Sequence, residues 1–130
     1  MKVDRIDHVV FTVRDVDRSA EFYSRVLGMQ VVTFADDRKA LVFGRQKINL
    51  HSAGKEREPK ALRPTPGSGD LCLITDRNLD DVITHVGVCR VAIVEGPVRK
   101  TGALGPISSI YVRDPDGNLI EVANYVRDVA

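Results

Sequence analysis

Tryptophan is absent from this 130-residue chain, and aromatic residues total 5%. So thin a supply of rings argues against a platform for stacking nucleobases. Neither sign of charge is in excess. Lys and Arg number 19 against 18 Asp and Glu, a net charge of +1, which makes no electrostatic case for nucleic acid or an anionic membrane. Cysteine is scarce: Cys72 and Cys89 each lie inside an apolar run with no C-x-x-C spacing. Buried free thiols are expected, and a disulfide framework or zinc knuckle is not. No stretch approaches ~18 apolar residues, and Lys2, Asp4 and Arg5 charge the N-terminus, so neither a membrane span nor a signal peptide is expected. The default is a soluble cytoplasmic protein. What is present, 43% hydrophobic and 28% charged residues, suits one complete globular domain.

Taken in order, residues 6–13 (IDHVVFTV) are β-branched and aromatic, and read as a strand. Alternation puts His8, Val10 and Thr12 on one face. Asp15 or Asp17 offers a helix N-cap, an apolar stripe of Ala20, Phe22, Tyr23, Val26 and Leu27 follows at helical spacing, and Gly28 closes the helix. Strands are predicted over 29–34, 39–43 and 47–51, with turns between them. Residues 52–68 are charged and rich in Pro and Gly, a linker or functional loop; the charges from Lys55 to Lys60 alternate in sign and read as solvated.

The same order then returns. Residues 70–75 read as a strand, Asn78 caps a helix through Val86 that Gly87 ends, and strands are predicted over 91–94, 107–112 and 118–123. Residues 96–106 (GPVRKTGALGP) read as a Gly/Pro-rich loop, in which Arg99 and Lys100 form either a solvated surface or a lid gripping an anion. Two β-α-β-β-β modules thus account for the chain: module one over 4–52, a linker over 53–68, module two over 69–126, all in a single α+β domain.

The stretch DPDGNLIEV, Asp114 to Val122, joins a turn to the last strand, and Glu121 interrupts that strand's apolar run. Alone, Glu121 reads as a solvated strand glutamate, or as one held inside by something positive. The repeat gives it company. His8 opens the first strand of module one, Asp70 opens that of module two, and Asn49 is the counterpart of Glu121, with His51 two residues on and on the same face. Equivalent strand positions therefore carry nitrogen and oxygen donors.

Asp7-His8-Val9, the run FYSRVLGM from Phe22 to Met29, and DPDGNLIEV together resemble the vicinal oxygen chelate superfamily of glyoxalases, bleomycin-resistance proteins and extradiol dioxygenases. The segments KINLH (47–51), EPKA (58–61) and GPISSIYVRDPDGN (105–118) are similar to glyoxalase-domain-containing proteins. The resemblance implies two βαβββ modules whose strands form a cupped mixed sheet around a divalent metal (Ni, Zn, Mn or Fe), and a homodimer. It puts His8 and Glu121 on ligand positions, with His51 or Asn49 and Asp70 near the other two. Asp70 stands where the family usually has His, and Asn49 where it often has Glu or Gln.

A metal set of His8, His51 and Glu121, with Asp70 as a further donor or an orienting carboxylate, would leave positions open for substrate. Asn49 is better suited to hydrogen-bonding substrate than to ligation. Ser109, Tyr111 and Arg113 share one face of the seventh strand and either line the pocket or, for Tyr111, fill the core. His85, on a helix among surface residues, has no expected role. The expected activity is a glyoxalase-like lyase or isomerase acting on a small oxygenated metabolite, with Glu121 moving the proton. The alternatives are a metal-free protein that sequesters a drug or toxin, a fosfomycin-type thiol transferase or hydrolase, and an extradiol dioxygenase.

Overall fold

The computed structural model describes residues 1–127, which form two compact units, residues 1–68 and Gly69 onward. In the first, β1 (His8–Val13), α1 (Val16–Leu27), β2 (Gln30–Phe34), β3 (Arg38–Phe43) and β4 (Gln46–Ser52) make a four-stranded sheet in the order β1-β4-β3-β2. β1 lies parallel to β4, and the other pairs are antiparallel. The Asp15 carboxylate accepts the Arg18 N–H at 3.0 Å and starts α1, while Gly28, at φ 67°, ends it in a left-handed conformation that costs glycine nothing.

Phe22, Tyr23 and Val26 on α1 are buried, and the Tyr23 ring meets Phe11 of β1 at 6.5 Å. α1 therefore covers the face that carries Phe11, Val13, Leu41, Ile48 and Leu50, all but Phe11 fully or almost fully buried. By strand alternation His8, Val10, Arg38, Asn49 and His51 occupy the opposite face. Asp36 and Asp37, both at positive φ, make the tight hairpin that delivers Arg38 there.

The second unit repeats the plan with β5 (Asp70–Ile74), α2 (Leu79–Val88), β6 (Glu95–Gly102), β7 (Gly105–Arg113) and β8 (Leu119–Tyr125), in the order β5-β8-β7-β6. β5 is parallel to β8. Asn124 of β8 binds α2 into place: its Oδ1 accepts the Leu79 N–H at 2.8 Å, and its Nδ2 donates to the carbonyls of Thr75 and Arg77.

Three expectations need correction. Residues 91–94 form no strand, and most of the supposed loop over 96–106 is β6 paired with β7. Gly96 and Pro97 misled the reading because β6 is an edge strand with a bulge between Glu95 and Val98, where a missing N–H breaks no ladder bond. Gly96 is also needed there, since a Cβ would lie 2.5 Å from the Ser109 carbonyl oxygen. Next, α2 runs through Gly87 to Val88. It stops because Arg90 is left-handed, so that the Arg90 and Val91 N–H groups return to the carbonyls of Gly87 and Val86. Finally, Cys72 is free but exposed, because edge strand β5 turns it to the uncovered face; Cys89 is half-buried.

The DPDGN turn is a polar knot. Asp114 Oδ1 accepts the N–H groups of Asp116 and Asn118, and Asp114 Oδ2 accepts Asn118 Nδ2 at 2.7 Å. Asn118 Oδ1 in turn accepts the Gly69 N–H at 2.6 Å, and the Gly69 carbonyl accepts the Leu119 N–H. Asn118→Ala would take one hydrogen bond from the buried Asp114 carboxylate and remove the acceptor of the Gly69 N–H. We expect a loss of about 2–4 kcal/mol in urea-unfolding stability, with no loss expected from Arg45→Ala at an exposed turn of the first unit.

Candidate functional site

In the second unit, β8 puts Glu121 between Cys72 of β5 and Tyr111 of β7, each directly opposite it across the ladders. Glu121 is half-buried and accepts a hydrogen bond from Ser109 Oγ at 2.5 Å; Ser109 is wholly buried. Protic neighbours surround the carboxylate, so it is not the solvated strand glutamate that it resembles in isolation. The environment shows in those neighbours. Desolvation, then the charge and hydrogen bonding of Glu121, push the Cys72 thiol up to about 11 and the Tyr111 hydroxyl up to about 12. Lys100 Nζ lies 5.7 Å from the centre of the Tyr111 ring, so Lys100 belongs to a strand beside this cluster and not to a loop. Arg113 donates to the Gly117 carbonyl and braces the turn. Asp70 opens β5, exposed, and lies diagonally from Glu121 on the same face.

In the first unit, His8, Arg38, Asn49, His51 and Arg57 line one open cavity of about 530 Å³. Asp7 Oδ2 lies 2.8 Å from His8 Nδ1, which leaves Nε2 as the outer nitrogen. A carboxylate on the far ring nitrogen is how ligating histidines are commonly oriented. Among the described residues, three buried side-chain atoms have no hydrogen-bond partner: Asn49 Oδ1, His51 Nε2 and Glu56 Oε2. Buried polar atoms are rarely left so, and all three belong to this unit. Burial first, then the nearby guanidinium groups of Arg38 and Arg57, hold the His51 imidazole below its ordinary range, with Glu56 opposing them. His51 is thus the neutral base form at neutral pH.

Glu56 and Arg57 were read as solvated loop charges. The orphaned Glu56 oxygen and the cavity-lining Arg57 correct that reading. No periodicity marks a loop residue that folds back on a sheet, so the sequence carried no signal for either. Register also separates two expected co-ligands. His8 lies opposite Lys47, and Thr12 opposite His51, a four-residue offset of about 13 Å along the strands. Asn49 is the nearer neighbour of His8, as Glu121 is of Asp70. Within either unit, no group of three or more His, Cys, Asp or Glu able to hold a metal forms among the described residues. His85, near the end of α2, lies 3.6 Å from the Cys89 sulfur through its Nε2.

Two helix-backed β-α-β-β-β units with donor-bearing open faces define a class. The chain belongs to the Glyoxalase/Bleomycin resistance protein/Dioxygenase superfamily, whose family model matches residues 5–122. It is 58% identical over 126 residues to virulence protein STM3117 of Salmonella typhimurium strain LT2, an alignment covering 97% of this chain and 88% of that protein. The crystal structure of that protein superposes with a TM-score of 0.96 over 97% of this chain and 100% of the other. The glyoxalase domain-containing protein RDO1 of Mycosarcoma maydis is 55% identical over 96% of this chain and 70% of its own length. A lactoylglutathione lyase structure from Agrobacterium tumefaciens, 22% identical, shares the fold with a TM-score of 0.72 over 95% of each chain. No described helix is long and apolar enough to cross a membrane.

Because desolvation and then Glu121 raise the Cys72 thiol, the thiolate forms only as pH nears about 11. At pH 8 an exposed thiol so shifted carries roughly a hundredfold less thiolate than an ordinary one. In a Cys89→Ser background, Glu121→Gln is expected to speed iodoacetamide labelling of Cys72 at pH 8 several-fold and to lower the midpoint of its pH profile. An unchanged profile would mean that the carboxylate does not govern the thiol.

Proposed function

We propose that the two units make one glyoxalase-like domain, and that the protein is a metal-dependent lyase or isomerase acting on a small metabolite with two neighbouring oxygens. The observation that carries this is His51 Nε2: neutral, buried, without a partner, and on the wall of the cavity that His8 and Asn49 also line. A base in that state is poised to take a proton from a bound carbon acid. Asn49 Oδ1, likewise unpartnered, would accept a hydrogen bond from a substrate hydroxyl.

The donors suit a divalent metal taking mixed nitrogen and oxygen ligands, Ni, Zn, Mn or Fe(II). His8 Nε2, Glu121 and Asp70 would be its ligands; when bound it supplies Lewis-acid polarisation of the paired substrate oxygens. His51, four residues along the strands from the register of His8, would act as the proton-transferring base rather than as a ligand. Ser109 holds Glu121 by one oxygen and so orients the carboxylate. A metal-free sequestering protein would have His8 and Glu121 satisfy each other. Within their own units His8 Nδ1 lies against Asp7 Oδ2, which keeps Nε2 outward, and Glu121 accepts from Ser109.

Two measurements test it. Protein purified without chelator should retain stoichiometric metal that His8→Ala loses. NMR of small α-hydroxy and α-keto carbonyl compounds in heavy water should show deuterium exchange at carbon, slowed ~10²–10⁴-fold by His51→Gln. No metal under any loading condition, together with no exchange, would sink the reading. The edge strands β1 and β5 also expose Val9, Val10 and Ile74, apolar residues beside unpaired backbone. Such edges favour a second copy. Light scattering at micromolar concentration should give twice the chain mass, and a monomer would contradict the homodimer.

A further inference from the structure

A second, smaller cavity of about 160 Å³ adjoins the first, and the two share Arg38, His51 and Arg57 as lining. Lys39 and Lys55 also line the smaller one, against a single acid, Asp37. We propose that the shared wall is an oxyanion subsite, in which Arg38 and Arg57 grip a carboxylate or phosphate-type group of the substrate beside His51. The substrate class narrows accordingly, to oxygenated metabolites that are also acids.

Four features carry this. Arg38 forms no ion pair among the described residues, and its guanidinium carbon lies over the Phe34 ring, 4.9 Å from its centre. A cation–π contact of this kind restrains the side chain without using its N–H donors, which remain for an oxyanion. Arg57 is positioned by the Asp36 carbonyl at 3.3 Å, with the Asp36 carboxylate at 3.9 Å, contacts that use only part of its five donors. The acid that could compete in the larger cavity, Glu58, is paired with Lys60 at 3.1 Å. Finally, Asn49 is buried and its Oδ1 lacks a partner on the same cavity, an acceptor left for a ligand hydroxyl. Together these groups match an anion on one side and a hydroxyl on the other.

The location of the reacting carbon rests on the function proposed above; the anion binding does not, and is measured without metal. Chelator-treated protein is titrated calorimetrically at fixed ionic strength with malonate, with methylphosphonate, and with malonamide as the uncharged control. We expect millimolar binding of at least one anion and none of malonamide, the tighter anion naming the group. Arg57→Gln, in a loop and so safe for folding, should weaken binding tenfold or more, and Arg38→Met similarly. Arg25→Gln, on the helix behind the sheet, removes the same charge and should leave binding unchanged. Absence of binding by either anion, or Arg57→Gln binding like the unaltered protein, overturns the subsite. Anion binding that survives while metal retention and deuterium exchange fail would overturn the enzyme reading and uphold the subsite.

Discussion

One hydrogen bond sets the second unit's geometry, from the Gly69 N–H to Asn118 Oδ1. It fastens the turn before β8 to the start of β5, two segments 49 residues apart in sequence. Once that contact and the return bond from Leu119 to Gly69 are made, Asp70 must pair with Leu119 and Cys72 with Glu121. A slip of one residue would turn every side chain of β8 over and bury Glu121 under α2. Asp114 makes the contact durable by holding the Asn118 amide at its other end. The chemistry at Glu121 thus depends on a polar knot that touches none of it.

The first unit solves a different electrostatic problem. Burial, and then the two guanidinium groups that share its wall, make the His51 imidazole give up its proton. The guanidinium groups cannot do likewise. Neutral nitrogen beside fixed positive charge is a site waiting for an anion, whereas the second unit gathers hydroxyls and a thiol about one carboxylate. The two halves share a backbone plan and differ in the charge that they concentrate.

Much of the plan was legible. The period of two and the period of 3.6 located both helices and seven of the eight strands, and the repeat paired Asn49 with Glu121, the positions that lie in matching register opposite Val10 and Cys72. The misses share a cause. Gly96 and Pro97 have loop chemistry but occupy a bulged sheet edge, a tertiary position that composition does not reveal. Arg57 and Glu56 acquire their surroundings from a loop folding back, and local pattern is silent about that. Cys72 shows the limit most clearly. An apolar neighbourhood in sequence said buried, yet alternation on an edge strand left it exposed.

That exposed cysteine gives the protein a form of chemical endurance. Peroxide and disulfide reagents attack thiolate, and a thiol pushed up to about 11 offers roughly one thiolate in ten thousand at pH 7. Partial desolvation, reinforced by the charge of Glu121, thereby shields the sulfur from oxidation without covering it. The open face can keep a sulfur atom beside the carboxylate through oxidant levels that would consume an ordinary surface cysteine.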